Sequence, residues 1–146
     1  VKISSGYVVG GNGSAADIVG VLNGIFYNDA STLKPTFANF YKATITPANS
    51  EDTVAFVIDD PFQQYVVSTD DARTQAQFLA TYDMNSSAGS DTTGKSSSTL
   101  DIGTTSADGK QFRMLRSAED PENEDATAVR HSVVVVSNLN SFNGHN

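Results

Sequence analysis

The segment Val54-Ala55-Phe56-Val57-Ile58-Asp59-Asp60-Pro61-Phe62-Gln63-Gln64-Tyr65-Val66-Val67-Ser68 decides the fold. Two runs rich in β-branched and aromatic residues flank an Asp-Asp-Pro turn, which is the composition of strand, turn and strand rather than of a helix. Thr53 to Ile58 reads as a buried-type strand, and Gln64 to Ser68 is expected to pair with it across the turn. The same punctuation runs outward in both directions. Upstream lie Tyr7-Val8-Val9 and then Ile18 to Tyr27, where Gly20 and Gly24 predict a bend or bulge. Asn28-Asp29-Ala30-Ser31 reads as a hairpin turn, and Phe37 to Ile45 follows between Pro35 and Pro47. Downstream, Gln111 to Arg116 and Ser132 to Ser137 complete the set. Asp71 to Leu79 reads as one short helix, with Asp70 or Asp71 as its cap. Turn signals recur roughly every 8–12 residues, the spacing of short-stranded sheets. The expected fold is mainly β: a single compact barrel or sandwich of short antiparallel strands, with long polar loops and at most one short helix.

The length of 146 residues suits one domain spanning 1–146, with 85–109 as a Ser/Thr/Gly-rich surface loop excursion. The chain has no cysteine, which removes disulfides and thiolate catalysis and fits assembly in a reducing cytoplasm. A net charge of −8 argues against nucleic acid as a partner, because phosphate binding needs clustered Lys and Arg. No apolar run approaches the ~18 residues of a membrane span. The first residue is Val1 rather than Met, so a leader or arm is expected to precede it.

Four patterns carry possible chemistry. Gly89-Ser90-Asp91-Thr92-Thr93-Gly94-Lys95-Ser96 fits G-x-x-x-x-G-K-S, the loop that cradles nucleotide phosphates. That loop needs a buried strand before it and a helix after it. The Ser- and Thr-rich residues that follow form helix poorly. Gly11-Asn12-Gly13-Ser14-Ala15-Ala16 imitates a dinucleotide fingerprint but is followed by a strand-like pattern, so a turn is expected. Glu119-Asp120-Pro121-Glu122-Asn123-Glu124-Asp125 offers oxygen ligands for Ca²⁺ without the spacing of a calcium loop, and reads as a solvated acidic turn. His131 and His145 are the only side chains that ordinarily titrate near pH 7, and no nucleophile elbow accompanies them. No catalytic residue, cofactor or metal ligand is therefore assigned.

The order of short motifs from Gly20 onward resembles a family of tailed-bacteriophage virion structural proteins of the capsid-cement or head-decoration type, encoded near the major capsid protein. The matching residues are Gly20-Val21-Leu22-Asn23-Gly24-Ile25-Phe26-Tyr27, Lys34-Pro35-Thr36-Phe37-Ala38-Asn39-Phe40-Tyr41 and Ala55-Phe56-Val57-Ile58-Asp59-Asp60-Pro61. Thr93-Gly94-Lys95-Ser96 with Leu100-Asp101, and Phe112-Arg113-Met114, continue the order. Asp120-Pro121-Glu122-Asn123 departs from the R-P-D-N common in that family. The resemblance implies a non-enzymatic virion protein that binds and stabilises a shell of major capsid protein. It also implies a homo-oligomer, dimer or trimer, on the capsid surface, and the charge and short apolar runs leave neither nucleic acid nor membrane as an expected partner. The candidate contact residues are Asp59, Asp60, Pro61 and Phe62, with the aromatics Tyr27, Phe40 and Tyr41. Two other classes remain open: a carbohydrate-binding β-module on a virion or cell surface, and a nucleotide-binding protein using loop 89–96.

Overall fold

The computed structural model describes residues 1–11, 18–49, 53–104, 109–121 and 129–139. It is mainly β, at 42% strand against 5% helix, as the turn spacing predicts. Among the described residues the strands are β1 (Lys2–Ser4), β2 (Tyr7–Val9), β3 (Val21–Asn28), β4 (Pro35–Ala38), β5 (Val54–Ile58), β6 (Gln64–Ser68), β7 (Thr81–Tyr82), β8 (Met84–Asn85), β9 (Thr99–Leu100), β10 (Phe112–Ser117) and β11 (Ser132–Ser137). They form four small sheets in the orders β1-β2, β6-β11-β10-β7, β4-β3-β5 and β8-β9, and every strand pairing is antiparallel.

The four-stranded sheet carries the main core on one face. Val133 and Val135 of β11 sit opposite Val67 and Tyr65 of β6, and Val135 also opposes Met114 of β10. Alternation then sends these side chains to one side, where Tyr82, Leu100 and Ile102 close over them. Complete burial of Met114, Leu100, Val133 and Val135 contributes roughly 1.5–3 kcal/mol for each side chain. The polar excursion is thus not all surface: Thr99, Leu100 and Ile102 return from it into the core. Asp70 secures that return, its Oδ1 accepting the Ile102 N–H at 2.9 Å.

The three-stranded sheet is built around β3. Ile25 and Tyr27 point inward and are buried, while Phe26 faces the other way. The bulge foreseen near Gly24 is present, as the register with β5 shifts between Leu22 and Gly24. A Cβ on Gly20 would lie 2.0 Å from the Ile58 carbonyl oxygen, so glycine is required where the chain enters β3. The β3–β4 hairpin turns on Asp29, whose carboxylate accepts the Ser31 N–H at 2.9 Å and the Thr32 N–H at 3.0 Å.

Two local expectations are corrected. β5 and β6 do not pair with each other, because β5 is taken by β3 and β6 by β11. The Asp59–Gln63 connection therefore carries the chain from one sheet to the next. Asp71 to Leu79 is not a helix but an extended segment ending in a 3₁₀ turn at Gln75–Gln77. Asp70 is occupied by Ile102, and the turn is instead fastened by the Gln77 Oε1, which accepts the Thr74 N–H at 2.6 Å. Strand limits differ as well: β4 ends at Ala38 rather than running to Ile45.

Candidate functional site

The turn after β5 carries four of the candidate contact residues, Asp59, Asp60, Pro61 and Phe62. Asp59 and Asp60 are exposed, and Asp60 Oδ1 accepts the Phe62 N–H at 2.9 Å, folding the turn so that Phe62 is 80% exposed. The two carboxylates also act on Tyr65. Burial, then Asp60 and Asp59, push its phenol above the ordinary tyrosine range. The acidic pair thus sets a local negative field at the C-terminal end of β5.

The three aromatic candidates separate. Tyr27 is only 8% exposed and belongs to the interior, so it is withdrawn as a contact residue: β3 alternation turns it inward with Ile25. Tyr41 is 56% exposed. Phe40 is half-buried, packed against Gly94 so closely that a Cβ there would lie 2.4 Å from its ring. Phe40 and Tyr41 thus form one wall of a shallow hollow of about 210 Å³ whose other wall is the 89–96 loop.

That contact explains the G-x-x-x-x-G-K-S pattern without a phosphate. Gly94 has φ +69° and lies against Phe40, and a Cβ on Gly89 would meet the Lys95 carbonyl oxygen at 2.7 Å. The loop amides turn inward. The Ser90 N–H donates to the Lys95 carbonyl at 2.9 Å and the Gly94 N–H to the Ser90 carbonyl at 2.8 Å. The Thr93 N–H donates to Ser90 Oγ at 3.2 Å. An extended stretch leads on to β9 where a phosphate loop needs a helix. Both glycines answer to packing, and the Ser90, Thr93 and Gly94 amides are already paired within the loop.

A Ser–His pair is present where the sequence pointed to none. Ser117 Oγ lies 2.8 Å from His131 Nε2, and the Arg73 Nη2 lies 3.0 Å from that nitrogen and 3.1 Å from Ser117 Oγ. A guanidinium only donates, so His131 Nε2 is the acceptor. A general base needs that lone pair for the serine proton, and the adjacent cation opposes the charge it would gain. His131 is 1% exposed, and the Arg73 guanidinium stacks on Phe78 with 4.3 Å from Cζ to the ring centroid. Desolvation lowers the Arg73 pKa from its ordinary value. The cluster acts as a clamp, holding the segment before the 3₁₀ turn to the ends of β10 and β11.

A larger feature is not evident in the sequence. Gly24 and Phe26 of β3, Pro35 and Phe37 of β4, and Val54 and Phe56 of β5 share the outward face of the three-stranded sheet by register. On it Phe37 is 61%, Val54 50% and Phe56 45% exposed. The two phenyl rings stand 5.8 Å apart at 50°, with Phe37 lying over Gly24. The available signal was the alternation within Val54-Ala55-Phe56-Val57, which puts the larger Phe56 opposite in direction to the small Ala55. Three other readings fall wholly or partly outside the described residues: the glycine-rich turn at 11–16, of which Gly11 is described, the acidic run at 119–125, described as far as Pro121, and His145. Among the described residues no group of acidic or histidine side chains is arranged to hold a metal ion, and no helix is long and apolar enough to cross a membrane.

No protein-family model, no curated protein and no solved structure matches this chain.

Proposed function

We propose that the protein is a non-enzymatic adhesive subunit, a capsid cement or decoration protein that binds a shell of major capsid protein through its three-stranded sheet. The observation that carries the reading is the outward aromatic face formed by Phe37, Val54 and Phe56. Apolar side chains clustered on an open sheet face mark a contact surface more often than a catalytic one. Covering a large side chain of this kind contributes about 1.5–3 kcal/mol when burial is complete. A stable contact requires on the order of 800 Å² per partner. The sheet face, together with exposed Phe62 beyond the end of β5, is the surface offered for that contact. Repetition on a symmetric shell, with dimers or trimers of the chain on each site, multiplies the effect of individually modest contacts. The charge of −8 favours the outer surface of a shell over contact with packaged nucleic acid.

The test is the composition of purified particles, measured by quantitative mass spectrometry. A cement subunit is present at a fixed ratio to the major capsid protein and protects the shell against heat or chelators. Absence from particles, or a trace amount that varies between preparations, contradicts the reading.

A further inference from the structure

The two edges of the three-stranded sheet are finished differently. β4 is four residues long, starts at Pro35 and follows Lys34, so its edge is short and carries the proline and lysine that discourage strand addition. β5 has neither. It reads Val-Ala-Phe-Val-Ile, with no charge, proline or glycine. The bulge of this sheet lies on β3, leaving β5 regular. Among the described residues no strand pairs with the outer edge of β5. A regular apolar edge presents unpaired backbone donors and acceptors as a template for one more strand.

We infer that the β5 edge receives an extended segment of the partner, with apolar side chains at alternate positions and lysine or arginine on its flanks. The inference rests on the adhesive reading and names what that contact takes. The incoming backbone would pair with β5, and its alternate apolar side chains would extend the face made by Val54, Phe56 and Phe37. Charge selects the occupant. Exposed Asp59 and Asp60 close the C-terminal end of β5, and their field already reaches Tyr65. A second copy of this chain would bring another −8 against them, whereas a basic flank meets opposite charge. The occupant is therefore a basic-flanked strand of a different protein rather than a second β5.

The inference is tested with the full chain and two synthetic peptides of alternating valine and threonine, one flanked by paired lysines and one by paired glutamates. Titration followed by fluorescence anisotropy should show the lysine-flanked peptide binding at least about tenfold more tightly, with the preference shrinking as salt screens the charges. Asp59→Asn with Asp60→Asn keeps the oxygen that accepts the Phe62 N–H, and should remove most of the preference. Val54→Lys with Phe56→Lys should abolish binding, with circular dichroism and thermal unfolding confirming that the variant is folded. Equal binding of the two peptides, or binding of neither, overturns the inference. So does a wild-type dimer cross-linked through β5. If neither peptide binds while the chain is stoichiometric in particles, the edge inference fails and the adhesive reading stands. If the lysine peptide binds but the chain is absent from particles, the capsid assignment fails instead.

Discussion

In the four-stranded sheet the inward face of β10 and β11 is sealed, with Met114, Val133 and Val135 fully buried. In the three-stranded sheet Phe37, Val54 and Phe56 stand about half exposed on the outward face. The two sheets draw on the same kinds of residue, and the difference is what covers them. Leu100 and Ile102, delivered by the end of a polar excursion and fastened by Asp70, close the first. Among the described residues no strand caps the second, where Phe37 lies over Gly24 and against Phe56. The first face is therefore sealed into the core, and the second is the one that the proposed function assigns to a partner.

Substitutions should separate the two roles. The largest effect is expected from Met114→Ala, which opens a cavity in the sealed core and should lower unfolding stability by about 2–5 kcal/mol in a denaturant titration. Gly94→Ala should follow, at about 1–2 kcal/mol for its positive φ, with displacement of Phe40 adding to the loss. Phe37→Ser with Phe56→Ser should change stability by less than about 1 kcal/mol, since exposed positions contribute little to the fold. A core-sized loss in that variant would erase the distinction between the sheets.

Asp29 gives a smaller, pH-dependent effect in the β3–β4 turn. Its hydrogen bonds with Ser31 and Thr32 hold its carboxyl below the ordinary value. A depressed folded pKa means that the stabilisation is present above the unfolded pKa and is lost as pH falls through the folded one. The Ser31 and Thr32 amides should thus gain hydrogen-exchange protection only above the acidic range, and Asp29→Ala should remove it. The smallest effect belongs to Lys95→Ala. Stability should move by no more than about 0.5 kcal/mol, and isothermal titration should detect no Mg²⁺–ATP binding to either form. ATP binding lost in the variant would restore the nucleotide reading.

Much of the strand inventory is written in local patterns. Ser132 to Ser137 forms β11 with the limits its valines suggest, and the bulge near Gly24 follows from a glycine inside an aromatic strand. Partner choice is not local. The Asp-Asp-Pro turn has hairpin composition, yet β5 and β6 enter different sheets because Tyr65 and Val67 pack against the core beside β11 while Gly20 lets β3 approach Ile58. The expected helix at 71–79 yields to tertiary contacts: Arg73 is drawn to Ser117 and His131, and Asp70 to Ile102. Of the candidate contacts, Asp59, Asp60, Phe62 and Tyr41 are exposed, Pro61 and Phe40 are partly buried, and Tyr27 is buried. Phe37 and Phe56 are not legible as surface residues, because an aromatic in a strand reads as core until its pairing is known. The glycines of the phosphate-loop pattern likewise gain their explanation only once Phe40 is placed beside them.

The outward face of the three-stranded sheet is the proposed contact surface. The direct measurement is incorporation of tagged protein into particles, comparing wild type with Phe37→Ser plus Phe56→Ser at matched expression and matched thermal stability. The account predicts stoichiometric wild-type protein on purified particles and a loss of at least about tenfold for the variant. Equal incorporation of the two proteins would contradict it.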